Sequence, residues 1–149
     1  MSVKDKCYFA EKVRKLVSMN PDIHIGAITV NKSRVQQHIR KDGNKLYNYM
    51  IRLSVLDCIK NELIVNLIRD NKTVKVKSGN SLIDYLQTTL WFDMNCSTRI
   101  IDMPSDSKQV KNLIFIDWMN NLIWGKYEDN NDKPFNILRN VITSQKLFF

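Results

Sequence analysis

Segments with strand character alternate with stretches of helical spacing, and this alternation constrains the chain more than any other feature. In residues 23–30, Ile23, Ile25 and Ala27 recur at every second position, and β-branched Ile28 and Val30 follow, which predicts a strand. Residues 63–68 are a nearly unbroken apolar run, expected of a strand covered on both faces. Arg99-Ile100-Ile101 predicts a third, short strand. Phe9, Val13, Leu16 and Val17 share one stripe of a helix over 5–18, stopped by Asn20-Pro21-Asp22. Leu46, Tyr49, Met50, Leu53 and Leu56 predict a helix running to residue 60. Ser81 caps a helix to residue 93, residues 110–128 form a long helix, and residues 135–145 form a last one. Residues 31–44, 72–80 and 129–133 read as polar connections. Strand–helix–strand units close as right-handed parallel crossovers. The expectation is an α/β fold with a small, mostly parallel sheet and flanking helices, residues 1–149 forming a single domain.

The net charge is +8, and it is placed unevenly. Residues 1–60 hold twelve Lys/Arg against five Asp/Glu, whereas residues 61–149 hold eleven against ten. One cluster is Lys32, Arg34, His38, Arg40, Lys41 and Lys45; a second is Lys72, Lys75 and Lys77. Concentrated positive charge favours a polyanion, whose counterions it releases. These lysines and arginines are therefore candidate nucleic-acid contacts, set against the plainer reading of a solvated basic face. The apolar stretches are only a few residues long, so no membrane partner is expected. Cys7, Cys58 and Cys96 are odd in number and far apart, and His24 and His38 lack ligand spacing. That argues against a disulfide framework or structural zinc and for a reducing cytoplasm. The sequence contains neither a Walker loop nor G-x-G-x-x-G, and no Ser/Cys–His–acid triad can be placed.

Two acids stand in apolar surroundings. Asp70 ends the run from Leu63, and Asp117 interrupts Leu113-Ile114-Phe115-Ile116-Asp117-Trp118. A carboxylate in such a place needs a partner or a cation. Asp70 at the C-terminal end of a strand lies where α/β folds bind ligands, or it simply starts a turn. Asp117, on or beside the buried stripe of its helix, is a metal ligand or an acid paired with Lys or Asn121. Glu128 is a third candidate ligand, or a solvated helix end.

The ordered set of motifs resembles domain-of-unknown-function family 3800. Val30-Asn31-Lys32, Leu46-Tyr47-Asn48-Tyr49, Ile68-Arg69-Asp70, Asp106-Ser107-Lys108, Leu113 with Asp117-Trp118, and Lys126-Tyr127-Glu128 follow the order of that family's motifs. The family's opening strand, Asp-Glu-Ser-Gly, has no counterpart here, and Ile114 and Ile116 stand where the family often has Gln and Ala. The resemblance implies a ribonuclease-H-like fold and a metal-dependent nuclease of bacteria, phages or mobile elements, truncated or degenerate. It implies Asp70 and Asp117 as catalytic acids and Asp70, Asp117 and Glu128 as ligands of Mg²⁺ or Mn²⁺; the candidate contacts to nucleic acid, Lys32, Arg34, Arg40, Lys41, Lys72, Lys75 and Lys77 with Lys108 of the Asp-Ser-Lys motif, rest on their charge. Because the missing strand would lie inside the sheet, it also implies a homodimer or a protein partner that completes the sheet. The alternative is a non-catalytic interaction protein on the same scaffold.

Overall fold

The computed structural model describes residues 1–70 and 81–149. In chain order the elements are α1 (Val3–Met19), β1 (Ile25–Val30), a 3₁₀ turn (Lys32–Arg34), α2 (Gln37–Arg40), α3 (Gly43–Ile59) and β2 (Ile64–Asp70). There follow α4 (Leu82–Thr88), a π turn (Thr89–Asp93), β3 (Arg99–Ser105), α5 (Lys111–Glu128), α6 (Lys133–Leu138) and β4 (Ile142–Leu147). The mixed α/β character and the flanking helices agree with the sequence reading. The sheet differs from it: instead of one sheet, β1 pairs with β4 and β2 pairs with β3. The chain gathers into two compact units, residues 1–27 with 111–145 and residues 28–110 with 146–149.

The first unit is built on α1 and α5. Ser2 starts α1 with a reciprocal cap: its hydroxyl accepts from the Asp5 N–H, and the Asp5 carboxylate accepts from the Ser2 N–H. At the other end the Asn20 side chain donates to the Leu16 carbonyl at 2.7 Å, before Pro21 ends the run. The buried face of α1 is Lys6, Ala10 and Val13, spaced at four and three residues. Ala10 and Val13 join Met119, Leu122, Phe135, Leu138 and Ile142 in the core. Helix α5 stops where Asn130 takes φ 51°, a left-handed position that Asn tolerates, and the Asn131 N–H returns to the Gly125 carbonyl at 3.0 Å. The helix expected over 135–145 is overturned. It ends at Leu138, and residues 142–147 pair as a strand. Val141, Ile142 and Thr143 are β-branched, and this local preference outweighs the helical spacing.

In the second unit β2 and β3 run parallel, in register from Ile64 opposite Arg99 to Asp70 opposite Ser105. Strand β3 continues to Ser105, four residues beyond the sequence expectation, and carries Pro104 at its last step but one. Ser81 caps α4 as expected. Leu56 of α3, Leu86 and Leu90 of the α4 region and Ile100 of β3 form the core. Buried Gln87 joins them to the sheet: its amide donates to the Thr98 carbonyl at 2.7 Å and accepts from the Ile100 N–H at 2.9 Å. The run 63–68 is not covered on both faces. Ile64 and Ile68, with Ile101 and Met103 across the ladder, are exposed on one side. The segment 31–44, expected as a connection, holds the 3₁₀ turn, α2 and the start of α3, whose first turn is capped by Asp42.

Candidate functional site

The two acids singled out by the sequence fall in different units. Asp70 closes β2 in the second unit, half-buried, and is the register partner of Ser105 at the C-terminal end of the parallel pair. Beside it in sequence, Arg69 clamps Asp102 through Nε and Nη2, both at 2.8 Å. That clamp holds the guanidinium above its ordinary pKa, the hydrogen bond to Asp102 being the leading cause. Asp102 was not legible as a site residue because Arg99-Ile100-Ile101 marked the strand as ending before it.

Asp117 lies on α5 in the first unit, and it is exposed rather than set in the buried stripe. The stripe of α5 is Leu113, Met119, Leu122 and Gly125. Asp117 instead lines a cleft of about 870 Å³ with Trp118 and Asn121 of α5, and with Met1, Asp5, Tyr8, Phe9 and Lys12 at and along α1. Its carboxylate makes no hydrogen bond or ion pair among the described residues. The cleft has aromatic walls. Phe9 meets Trp118 edge-on, centroids 5.2 Å apart, and the Lys12 ammonium lies 5.1 Å above the Tyr8 ring. Asp5 is held below the usual carboxylate range by its hydrogen bonds from Ser2. Phe9 packs against the core, as its place on the helix stripe predicts, and also lines the cleft; the sequence names Asn121 as a partner for Asp117 but does not single out Tyr8 or Lys12. The four-residue spacings Tyr8–Lys12 and Asp117–Asn121 were the available signal.

Glu128 is exposed as the last residue of α5. Among the described residues no three His, Cys, Asp or Glu side chains gather as a metal-holding group.

The basic cluster lies in the second unit. Lys32 and Arg34 sit on the 3₁₀ turn, and Arg40 and Lys41 sit on and just after α2. All four are exposed, and none forms an ion pair among the described residues; Lys45, by contrast, pairs with Asp42 at 3.5 Å. Lys108 is exposed in a turn where its N–H donates to Asp106 at 2.9 Å. Lys72, Lys75 and Lys77 lie outside the described residues. No helix among the described residues is long and apolar enough to cross a membrane. No protein-family model, curated protein or solved structure matches this chain.

Proposed function

We propose that this protein binds nucleic acid and is a degenerate member of the ribonuclease-H-like nucleases that its motifs resemble. One observation carries the reading. Lys32, Arg34, Arg40 and Lys41 are exposed within residues 32–41, and no carboxylate among the described residues neutralises them. Such exposed positive charge attracts a polyanion, whose counterions it releases. Two-metal hydrolysis needs several carboxylates around its cations, whereas the proposed binding asks for none. Binding is the property proposed, and the isolated chain is expected to be a poor or inactive nuclease with Mg²⁺ or Mn²⁺.

The test is a salt titration of affinity for a single-stranded oligonucleotide. Replacing Lys32, Arg34, Arg40 and Lys41 by Ala should flatten the slope of log affinity against log salt by about 0.7 per lost contact, or roughly 3 for all four. No binding at low salt, or an unchanged slope in the variant, overturns the reading.

A second reading, a chain that pairs with a second copy of itself, is favoured by the bare face of the β2–β3 pair. Ile64 is 61% exposed there, with Ile68, Ile101 and Met103 beside it. Parallel sheets are ordinarily covered on both faces, and an isolated two-stranded pair is marginal. Light scattering at micromolar concentration should then give a dimer mass, and Ile64→Lys with Ile101→Lys should return a monomer.

A further inference from the structure

We infer that the cleft between α1 and α5 is a pocket for an unpaired guanine base. Asp117 and Asn121 stand four residues apart on α5, which puts their Cβ atoms about 6 Å apart on one face of the helix. Both line the cleft, and neither side chain makes a hydrogen bond among the described residues. Asn121 uses only its main-chain carbonyl, which accepts from Lys6. A carboxylate accepts and a carboxamide donates. Side by side they complement the guanine edge, where N1–H and the exocyclic amine donate and O6 accepts. Adenine turns a lone pair at N1 toward the carboxylate and is disfavoured. Trp118, about half exposed, and Tyr8, 65% exposed, offer ring faces to a flat heterocycle.

Charge decides between base and phosphate. Asp5 and Asp117 face two cations, Lys12, which already rests on the Tyr8 ring, and the Met1 ammonium. The charges balance, so the cleft has no positive surplus to hold a phosphate and accepts a neutral base rich in donors. The pocket rests on the nucleic-acid reading only for the strand that presents the base; recognition of the base itself needs no phosphate.

That difference sets the experiment. Guanosine, adenosine and N-acetyl-arginine amide are titrated separately into the full chain, followed by NMR of the Trp118 indole N–H and the Asn121 side-chain amide. Guanosine should shift both signals and bind about tenfold tighter than adenosine, the discrimination expected of one good paired contact. Asp117→Asn should erase that preference without changing the thermal midpoint, since the carboxylate supports nothing among the described residues. Asn121→Asp, which removes the donor, should weaken guanosine as well. Equal response to adenosine, tighter binding of the arginine amide, or a preference that survives Asp117→Asn overturns the pocket. If guanosine binds selectively but no oligonucleotide does, the nucleic-acid reading falls and the base pocket stands.

Discussion

Arg69 reaches diagonally across the parallel ladder to Asp102, whose register partner is Leu67, two residues before it. The two side chains lie on the strand face that also carries Ile100, and each is a little under a third exposed. Two hydrogen bonds of 2.8 Å use the fixed fork of the guanidinium. A Lys at 69 keeps the charge and loses the fork. We expect Arg69→Lys to destabilise by about 0.5–1 kcal/mol, and a double-mutant cycle with Asp102→Asn to give a coupling near 1 kcal/mol, held down by partial solvation. Urea denaturation measures both. A coupling indistinguishable from zero means that the clamp is a surface contact with no share in holding β2 to β3.

Gln87 acts on β3 as a neighbouring strand would, one donor and one acceptor meeting the Thr98 carbonyl and the Ile100 N–H. It is 9% exposed, so water does not replace these bonds freely. Gln87→Leu keeps the bulk and strands two main-chain groups, and should cost about 2–4 kcal/mol by urea denaturation. Gln87→Glu can accept from Ile100 but cannot donate to Thr98 while ionised. It should be less stable at neutral pH than in mild acid, where a protonated carboxyl can donate. A Leu variant as stable as the parent removes Gln87 from this role.

Helices and strands with a strong period were legible in the sequence. The helix expected over 5–18 forms as Val3–Met19, and that over 110–128 as Lys111–Glu128. Apolar spacing and caps are local signals, and here they agree with the packing. What failed was set by distant partners. Strand β4 has a local signal in its β-branched residues Val141, Ile142 and Thr143, but its partner β1 lies more than a hundred residues away, and no window around Ile142 names that partner. The apolar run 63–68 speaks for a strand but not for what covers it, so the exposure of Ile64 could not be foreseen. For the candidate site, Asp117 was visible as an acid among apolar residues, and of the two places expected, on or beside the buried stripe, it is not on it. Leu113, Met119 and Leu122 define a stripe that leaves position 117 outside. The cleft itself needs α1 beside α5, a juxtaposition that only the folded chain contains.

Lys6 and Gly125 test how tightly α1 and α5 are fitted. The Lys6 ammonium donates to the Asn121 carbonyl at 3.3 Å, and a Cβ added at Gly125 would stand 3.0 Å from that nitrogen. Replacing a mid-helix Gly by Ala ordinarily stabilises by roughly 0.5–1 kcal/mol. Here the new methyl must push the ammonium, so Gly125→Ala alone should be neutral or destabilising. In a Lys6→Ala background the obstruction is gone, and the same change should stabilise by the ordinary amount. Thermal unfolding of the four variants gives the cycle. Equal effects in both backgrounds show that Lys6 is not what keeps Gly at 125.

The cap of α1 carries a pH dependence whose sign is fixed. The Ser2 hydroxyl and N–H both donate to the Asp5 carboxylate, at 2.6 and 3.1 Å, and hold it below its ordinary value of 3.8. A carboxyl whose folded pKa is depressed binds protons less readily when folded than when unfolded. Its contribution is therefore complete above pH 3.8 and is lost as pH falls through the lower folded value. Ser2→Ala removes the hydroxyl from both halves of the cap, leaving Asp5 with the main-chain bond alone. An NMR titration should show the Asp5 carboxyl moving back up toward 3.8 in the variant, while the helix signal of α1 becomes less sensitive to acid over that range. Asp5 also lines the cleft, so below its folded pKa the cleft loses one negative charge. An Asp5 titration identical in the parent and in Ser2→Ala would show that Ser2 does not set the carboxylate's charge, and that the cap forms without this reciprocal bond.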